Sequence, residues 1–208
     1  MINNSFEQSL EFWASLAELG KLSPKKFLNT LPHISIVWGE FDVNYLRKRY
    51  QLLTSHEPFF DMEWSTDLRE LTEWMPLVME GRSCDQPIAA TRLKRGTDVD
   101  FGSLTNAYLE LLQTNAAFEL KLSTEVSALR KDGHGSWELD LHSDSETKVV
   151  SAPFVFIGAG GGALTLLQKS RIPESLAYGG FPVGGQWLVC SDSKLTKKHN
   201  AKVYEKAK

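Results

Sequence analysis

The chain has 208 residues, 42% hydrophobic and 24% charged, with 15 Gly and 8 Pro, which excludes a disordered, collagen-like or low-complexity polypeptide and suffices to bury a core. A formal charge of −3, from 23 basic and 26 acidic residues, supplies no basic field for nucleic acid. Two cysteines, Cys84 and Cys190, cannot make a disulfide framework, and no Cys/His cluster has the spacing of a metal site.

The opening residues lack the basic start and apolar run of a signal peptide. Phe6, Leu10, Trp13 and Ala17 recur at helical spacing and predict an amphipathic helix stopped near Gly20. After Pro32, the segment Ile34 to Trp38 reads as a strand ended by Gly39. Val43, Leu46, Tyr50 and Leu53 then predict a helix with Asp42 as candidate cap. A third helix is expected from Ser65 or Thr66 to Met75, where Pro76 stops it. Another follows on Leu104, Ala107, Tyr108 and Leu111.

Beyond this helix the pattern changes to strands. Phe118 to Leu122 and Glu125 to Arg130 are expected as strands, and Trp137, Leu139 and Leu141 alternate with polar residues after an Asp132-Gly133 turn. Lys148 to Ser151 completes a β-meander inserted between strand 118–122 and the apolar strand Phe154 to Ile157. Residues 149–168 carry no charge over twenty positions, but Pro153 and the glycines at 158 and 160–162 make them a strand and turn and no membrane span. Lys194, Lys197, Lys198, Lys202, Lys206 and Lys208 form a basic tail that reads as a solvated helix face. An electrostatic approach to anionic lipid is the alternative.

Gly158, Gly160 and Ala163 satisfy G-x-G-x-x-G/A, in which bare backbone approaches a pyrophosphate at a helix start. No acid follows between Glu174 and Asp192 to bind a ribose hydroxyl, so the turn reads as a later strand of a nucleotide-binding domain. A purely structural turn is the alternative.

These residues resemble the FAD-dependent malate:quinone oxidoreductases. The resemblance rests on 154–163 (FVFIGAGGGA), 178–183 (YGGFPV), 32–35 (PHIS), 37–39 (VWG), 43–49 (VNYLRKR), 74–82 (WMPLVMEGR), 90–92 (ATR), 96–105 (GTDVDFGSLT) and 188–190 (LVC). Thr165 stands where the family commonly has proline, Arg171 and Gly184 where it has glycine and serine, and Asp100 where it has asparagine. The resemblance places the family's βαβ unit with the principal FAD motif before residue 1 and further FAD and substrate residues after Lys208, so the chain corresponds to an internal fragment. The expected fold class is α/β: an α+β substrate domain plus part of a Rossmann-like FAD/NAD(P)-binding domain. Residues 1–99 are assigned mainly to the substrate domain, 100–170 to the FAD-binding domain with its meander, and 171–208 to a return to the substrate domain and the basic tail.

The resemblance implies oxidation of L-malate to oxaloacetate in the tricarboxylic acid cycle, with electrons passing through FAD to a membrane quinone. It also implies peripheral attachment to the cytoplasmic side of a bacterial inner membrane. A malate dianion favours arginine forks, and Arg92 is the first candidate for a substrate carboxylate, with Arg82 second. A salt bridge is the alternative for each. His33 is the candidate base or carboxylate partner, against a structural histidine. Gly180 and Phe181 are candidates for a loop over flavin and substrate, against a tight turn. Gly158, Ala159, Gly160 and Gly161 are expected to meet FAD through backbone amides, and Val126 to contact adenine through its main chain. A related FAD-dependent 2-hydroxy-acid dehydrogenase and a catalytically silent truncated product remain open.

Overall fold

The computed structural model describes residues 2–83 and 85–206, so the sequence readings of Cys84 and Lys208 lie outside it. The chain forms two compact units, 1–116 with 188–208, and 117–187. The structural division thus lies at 116/117, whereas the sequence division by function was drawn at 99/100.

The first unit centres on a mixed four-stranded sheet with helices on both faces. Helix α1 (Ile2–Glu18) is the one its apolar stripe predicts. Its Trp13 and Leu16 pack with Leu22, Phe27 and Leu104. A two-stranded ladder follows from β1 (Leu28–Thr30), whose partner comes much later in the chain. Strand β2 (His33–Trp38) ends at Gly39, whose φ of 85° lies in the left-handed region and turns the chain into α2 (Glu40–Leu53). Gly39, not Asp42, is the residue that caps α2. Asp42 lies in the first turn, where its charge suits the helix dipole, and binds Lys206.

Strand β3 (Glu63–Ser65) precedes α3 (Leu68–Trp74). Asp67 caps α3, accepting from the Arg69 and Glu70 amides, so the helix begins later than 65 or 66. Pro76 ends that helix and starts α4 (Pro76–Met79), since proline fits a first helical turn. Strands β4 (Ile88–Leu93) and β5 (Thr97–Val99) then lead to α5 (Phe101–Leu112), capped by Asp100. β5 is the partner of β1.

The main sheet has the order β3-β4-β2-β9, its last strand being β9 (Lys202–Glu205). β2 is antiparallel to β4 and parallel to β9. One face buries Ile34, Ile36, Ile88 and Ala90 under Leu71, Trp74, Met75 and Met79 of the α3–α4 region. The other buries Val37 and Ala89 under Val43 and Leu46 of α2. β9 overturns the reading of the lysine tail as one solvated helix face. Helix α7 (Ser193–Thr196) covers only four residues, and Lys202 enters the sheet with its ammonium on Asp98.

The second unit holds the meander, β6 (Glu125–Lys131), β7 (Trp137–His142) and β8 (Thr147–Ala152), in consecutive antiparallel order. Asp132 shapes the first turn by accepting from the His134 and Ser136 amides. Helix α6 (Ala163–Lys169) lies beside β6, its Lys169 Nζ donating to Ser127 O at 2.8 Å. Residues 118–122 and 154–157 are not strands here. Each lacks a ladder partner among the described residues, and Phe154 and Phe156 stand 75% and 84% exposed. Apolar content favours a strand only where a neighbouring backbone completes its hydrogen bonds.

Candidate functional site

Arg92 emerges near the end of β4 on the α3–α4 face, opposite Ile34 on β2 and Glu63 on β3. Its Nε donates to Glu63 Oε2 at 2.5 Å, and its guanidinium lies 4.1 Å from the Trp74 ring centroid. Lys94 Nζ takes the other Glu63 oxygen at 2.6 Å. The Arg92 hydrogen bond, opposed by desolvation and aided by Lys94, holds the Glu63 carboxyl below its usual range. Among the described residues the terminal nitrogens of Arg92 have no hydrogen-bond acceptor. The side chain is therefore fixed along its stem and stacked on one face, with its terminal fork available to an anion.

Arg82 is organised similarly, its Nε donating to Val78 O at 2.7 Å and its guanidinium lying 4.4 Å from the Trp38 ring centroid. Trp38, Ile34 and Arg92 share a sheet face because they stand at alternating positions or across the ladder from one another. Arg82 also lines a cavity of about 340 Å³ with Lys206 and Gln86.

His33 falls on the other face. It pairs with Leu93, one position from Arg92, and successive side chains point to opposite sides of a sheet. The structure therefore does not bring His33 and Arg92 together. His33 Nε2 is buried without a hydrogen-bond partner among the described residues, and the ring makes an edge contact with Tyr204 at 6.1 Å. Gly96 makes room for it: a Cβ there would lie 2.6 Å from both His33 Cδ2 and Leu31 O.

In the second unit, the glycine turn runs as a 3-10 turn over Gly160–Gly162 into α6. Gly160 has φ +52°, and a Cβ at Gly160 or Gly161 would meet nothing within 4 Å. The backbone of Gly158, Ala159, Gly160 and Gly161 is bare and exposed, which fits close approach by a nucleotide. Gly180 lies against α6, where a Cβ would come within 3.0 Å of Leu164 Cδ2, and Gln168 Nε2 holds Tyr178 O at 3.2 Å. Phe181, next along, is 91% exposed. Val126 pairs with Leu141 beside a register shift in β6.

Sequence reasoning missed Glu63 and Trp74 as the partners of Arg92. The signal available was an acid opening a three-residue strand and then a helix with Trp74 on its apolar stripe, but the register that joins them is tertiary. No group of three metal-ligating side chains occurs among the described residues, and none of their helices is long and apolar enough to cross a membrane.

A family model described as malate:quinone oxidoreductase matches residues 1–208. A probable malate:quinone oxidoreductase of Prochlorococcus marinus (strain MIT 9313) is 58% identical over 207 residues, covering 100% of this chain and 42% of that protein. One from Hahella chejuensis (strain KCTC 2396) is 58% identical over 210 residues, covering 99% and 42%. The chain thus spans about two-fifths of the length of the curated relatives it matches. Among solved structures, the L-alpha-glycerophosphate oxidase of Mycoplasma pneumoniae with FAD bound aligns with a TM-score of 0.54 and 13% identity. That alignment covers 70% of this chain and 36% of the oxidase, and supports a shared mixed α/β fold.

Proposed function

The chain belongs to the malate:quinone oxidoreductase family, and we propose that it carries the carboxylate-binding part of an FAD-dependent enzyme that oxidises L-malate to oxaloacetate and reduces a membrane quinone. The observation that carries this reading is the Arg92 fork, anchored by Glu63 and Trp74 while its terminal nitrogens have no acceptor among the described residues.

A dicarboxylate loses its hydration on binding, and paired guanidinium N–H donors replace those hydrogen bonds bidentately. Glu63 places the guanidinium without repelling the substrate, because Arg92 and Lys94 balance its own charge. Arg82 belongs to the same reading as a second cation on that side of the sheet, at Trp38. His33, on the opposite face, does not reach a substrate held by Arg92. The bare backbone at Gly158–Gly161 and the main chain at Val126 are the parts of this chain that would hold FAD, with Gly180 and Phe181 in the adjoining loop. When bound, FAD supplies the hydride acceptor and the route for electrons to the quinone. Attachment to the cytoplasmic side of a bacterial inner membrane belongs to this same reading.

The test is a full-length protein containing this sequence, loaded with FAD and assayed with L-malate or 2-hydroxyglutarate and a soluble quinone analogue. Malate-dependent quinone reduction is expected. Turnover of 2-hydroxyglutarate alone, or of neither acid, overturns the reading.

A further inference from the structure

On the α2 face of the sheet lies a cavity of about 540 Å³ that the Arg92 site does not use. Its lining mixes apolar side chains, among them Leu46, Leu53, Phe59 and Met62, with the polar His33, Ser35, Tyr45, Arg49, Thr91 and Tyr204 and the charged Glu205 and Lys206. The volume falls in the range of small-molecule sites, and an apolar lining with a few convergent polar groups is their usual make-up.

The polar groups are rich in donors. Arg49 Nη1 donates to Ser35 Oγ at 3.3 Å, which leaves the serine hydroxyl hydrogen to donate elsewhere. Tyr45 and Tyr204 also line the cavity, and His33 Nε2 has no partner among the described residues. Such a site suits a ligand whose oxygens accept and whose body is flat and apolar. A four-carbon dicarboxylate would leave Leu46, Leu53, Phe59 and Met62 in contact with water and gain nothing from them. A substituted benzoquinone has two acceptor carbonyls, a planar ring that suits the aromatic side chains of Tyr45, Phe59 and Tyr204 in the lining, and no charge of its own to desolvate.

We propose that this cavity binds the quinone headgroup. The assignment rests on the family reading, which supplies a quinone as acceptor, and extends it to a place in the fold. It puts the quinone on one face of the sheet and the carboxylate fork of Arg92 on the other.

The test titrates the isotopically labelled 208-residue chain with a fully substituted benzoquinone, which has no free ring carbon for addition of the Cys190 thiol. NMR follows the Met62 methyl and the His33 and Tyr204 rings. Saturable shifts confined to these groups are expected, and L-malate at equal concentration should leave them in place. Arg49→Gln, on an exposed helical position, should weaken quinone binding about fivefold or more without altering signals from Leu71 or Trp74. Leu53→Trp should fill the cavity and abolish the shifts. Shifts elsewhere, no shifts, displacement of the quinone by malate, or unchanged affinity in Arg49→Gln overturns the assignment. The readout needs neither flavin nor turnover, so failure of malate oxidation in the full-length protein would reject the activity and leave this result standing.

Discussion

Arg92 and Arg95 stand on one turn of chain and use their guanidinium groups in opposite ways. Arg95 Nε bonds both oxygens of Asp61, at 2.9 and 3.0 Å, while its Nη2 takes the Glu57 and Pro58 carbonyls. Arg92 binds one carboxylate oxygen through Nε and leaves its terminal nitrogens without a protein acceptor among the described residues. Arg95 is thus bound to protein acceptors through both Nε and Nη2, which makes it a structural clasp. Arg92, held at the stem and open at the tip, has the form that the proposed carboxylate site requires.

This contrast separates two substitutions. In a full-length, FAD-loaded protein, Arg92→Lys should reduce kcat/KM for malate by roughly 10- to 100-fold, because a charged hydrogen bond of about 1.5–3 kcal/mol and the planar stack are lost. Arg95→Lys should lower thermal stability and leave kcat/KM nearly unchanged. Steady-state kinetics beside melting curves on both variants decide it.

Glu63 makes part of the stability pH-dependent. Its carboxyl titrates below its ordinary value near 4.5 because the Arg92 hydrogen bond favours the ionised form. The folded-state value is depressed, so the contribution is full above about pH 4.5 and is lost as pH falls through the lower folded value. The pair is partly solvated and the effect correspondingly small. Urea midpoints measured from pH 3 to 7 should fall on the acid side in the native chain and less steeply in Glu63→Gln. Parallel curves would sink the account.

Gly96→Ala should destabilise the first unit by about 1–3 kcal/mol, as overpacking at a rigid contact does. The added methyl meets the Leu31 carbonyl oxygen, which is backbone, as well as the His33 ring. Chemical denaturation measures the loss, and the His33 ring resonances should shift with it.

Arg171 has φ +57° immediately after the α6 cap, a conformation that costs a non-glycine residue roughly 1–2 kcal/mol. Arg171→Gly should therefore stabilise the second unit by about 1 kcal/mol, seen as a higher melting temperature.

The 208-residue chain, purified alone, should carry no stoichiometric flavin. Its single glycine turn leads into a helix of seven residues and offers one patch of bare backbone for a cofactor with two phosphates. An absorption band near 450 nm at one flavin per chain would overturn this expectation.

Local periodicity made much of the fold legible. Phe6, Leu10, Trp13 and Ala17 fixed α1, Ile34 to Trp38 fixed β2, and the alternation at Trp137, Leu139 and Leu141 fixed the centre of the meander. Phe154 to Ile157 failed because apolar content does not provide a neighbouring strand. Lys202 to Glu205 failed in the opposite sense: a lysine-rich stretch became a strand because β2 offered it an edge. For the site, Arg92, Arg82 and His33 were readable as residues. Their separation onto two faces depends on the β2–β4 register, which no local pattern states.

The pairing of His33 with Lys202 in parallel strands has a consequence for how the chain is made. The meander's ladder pairings all close within residues 125–152, so that sheet can assemble as soon as it leaves the ribosome. β2 is synthesised far earlier yet waits with one edge open until β9 emerges, and loop closure over that separation is slow. Translation thus finishes the inserted unit before the one that surrounds it, and the interval between them is when Ile34 and Ile36 are most open to misassembly.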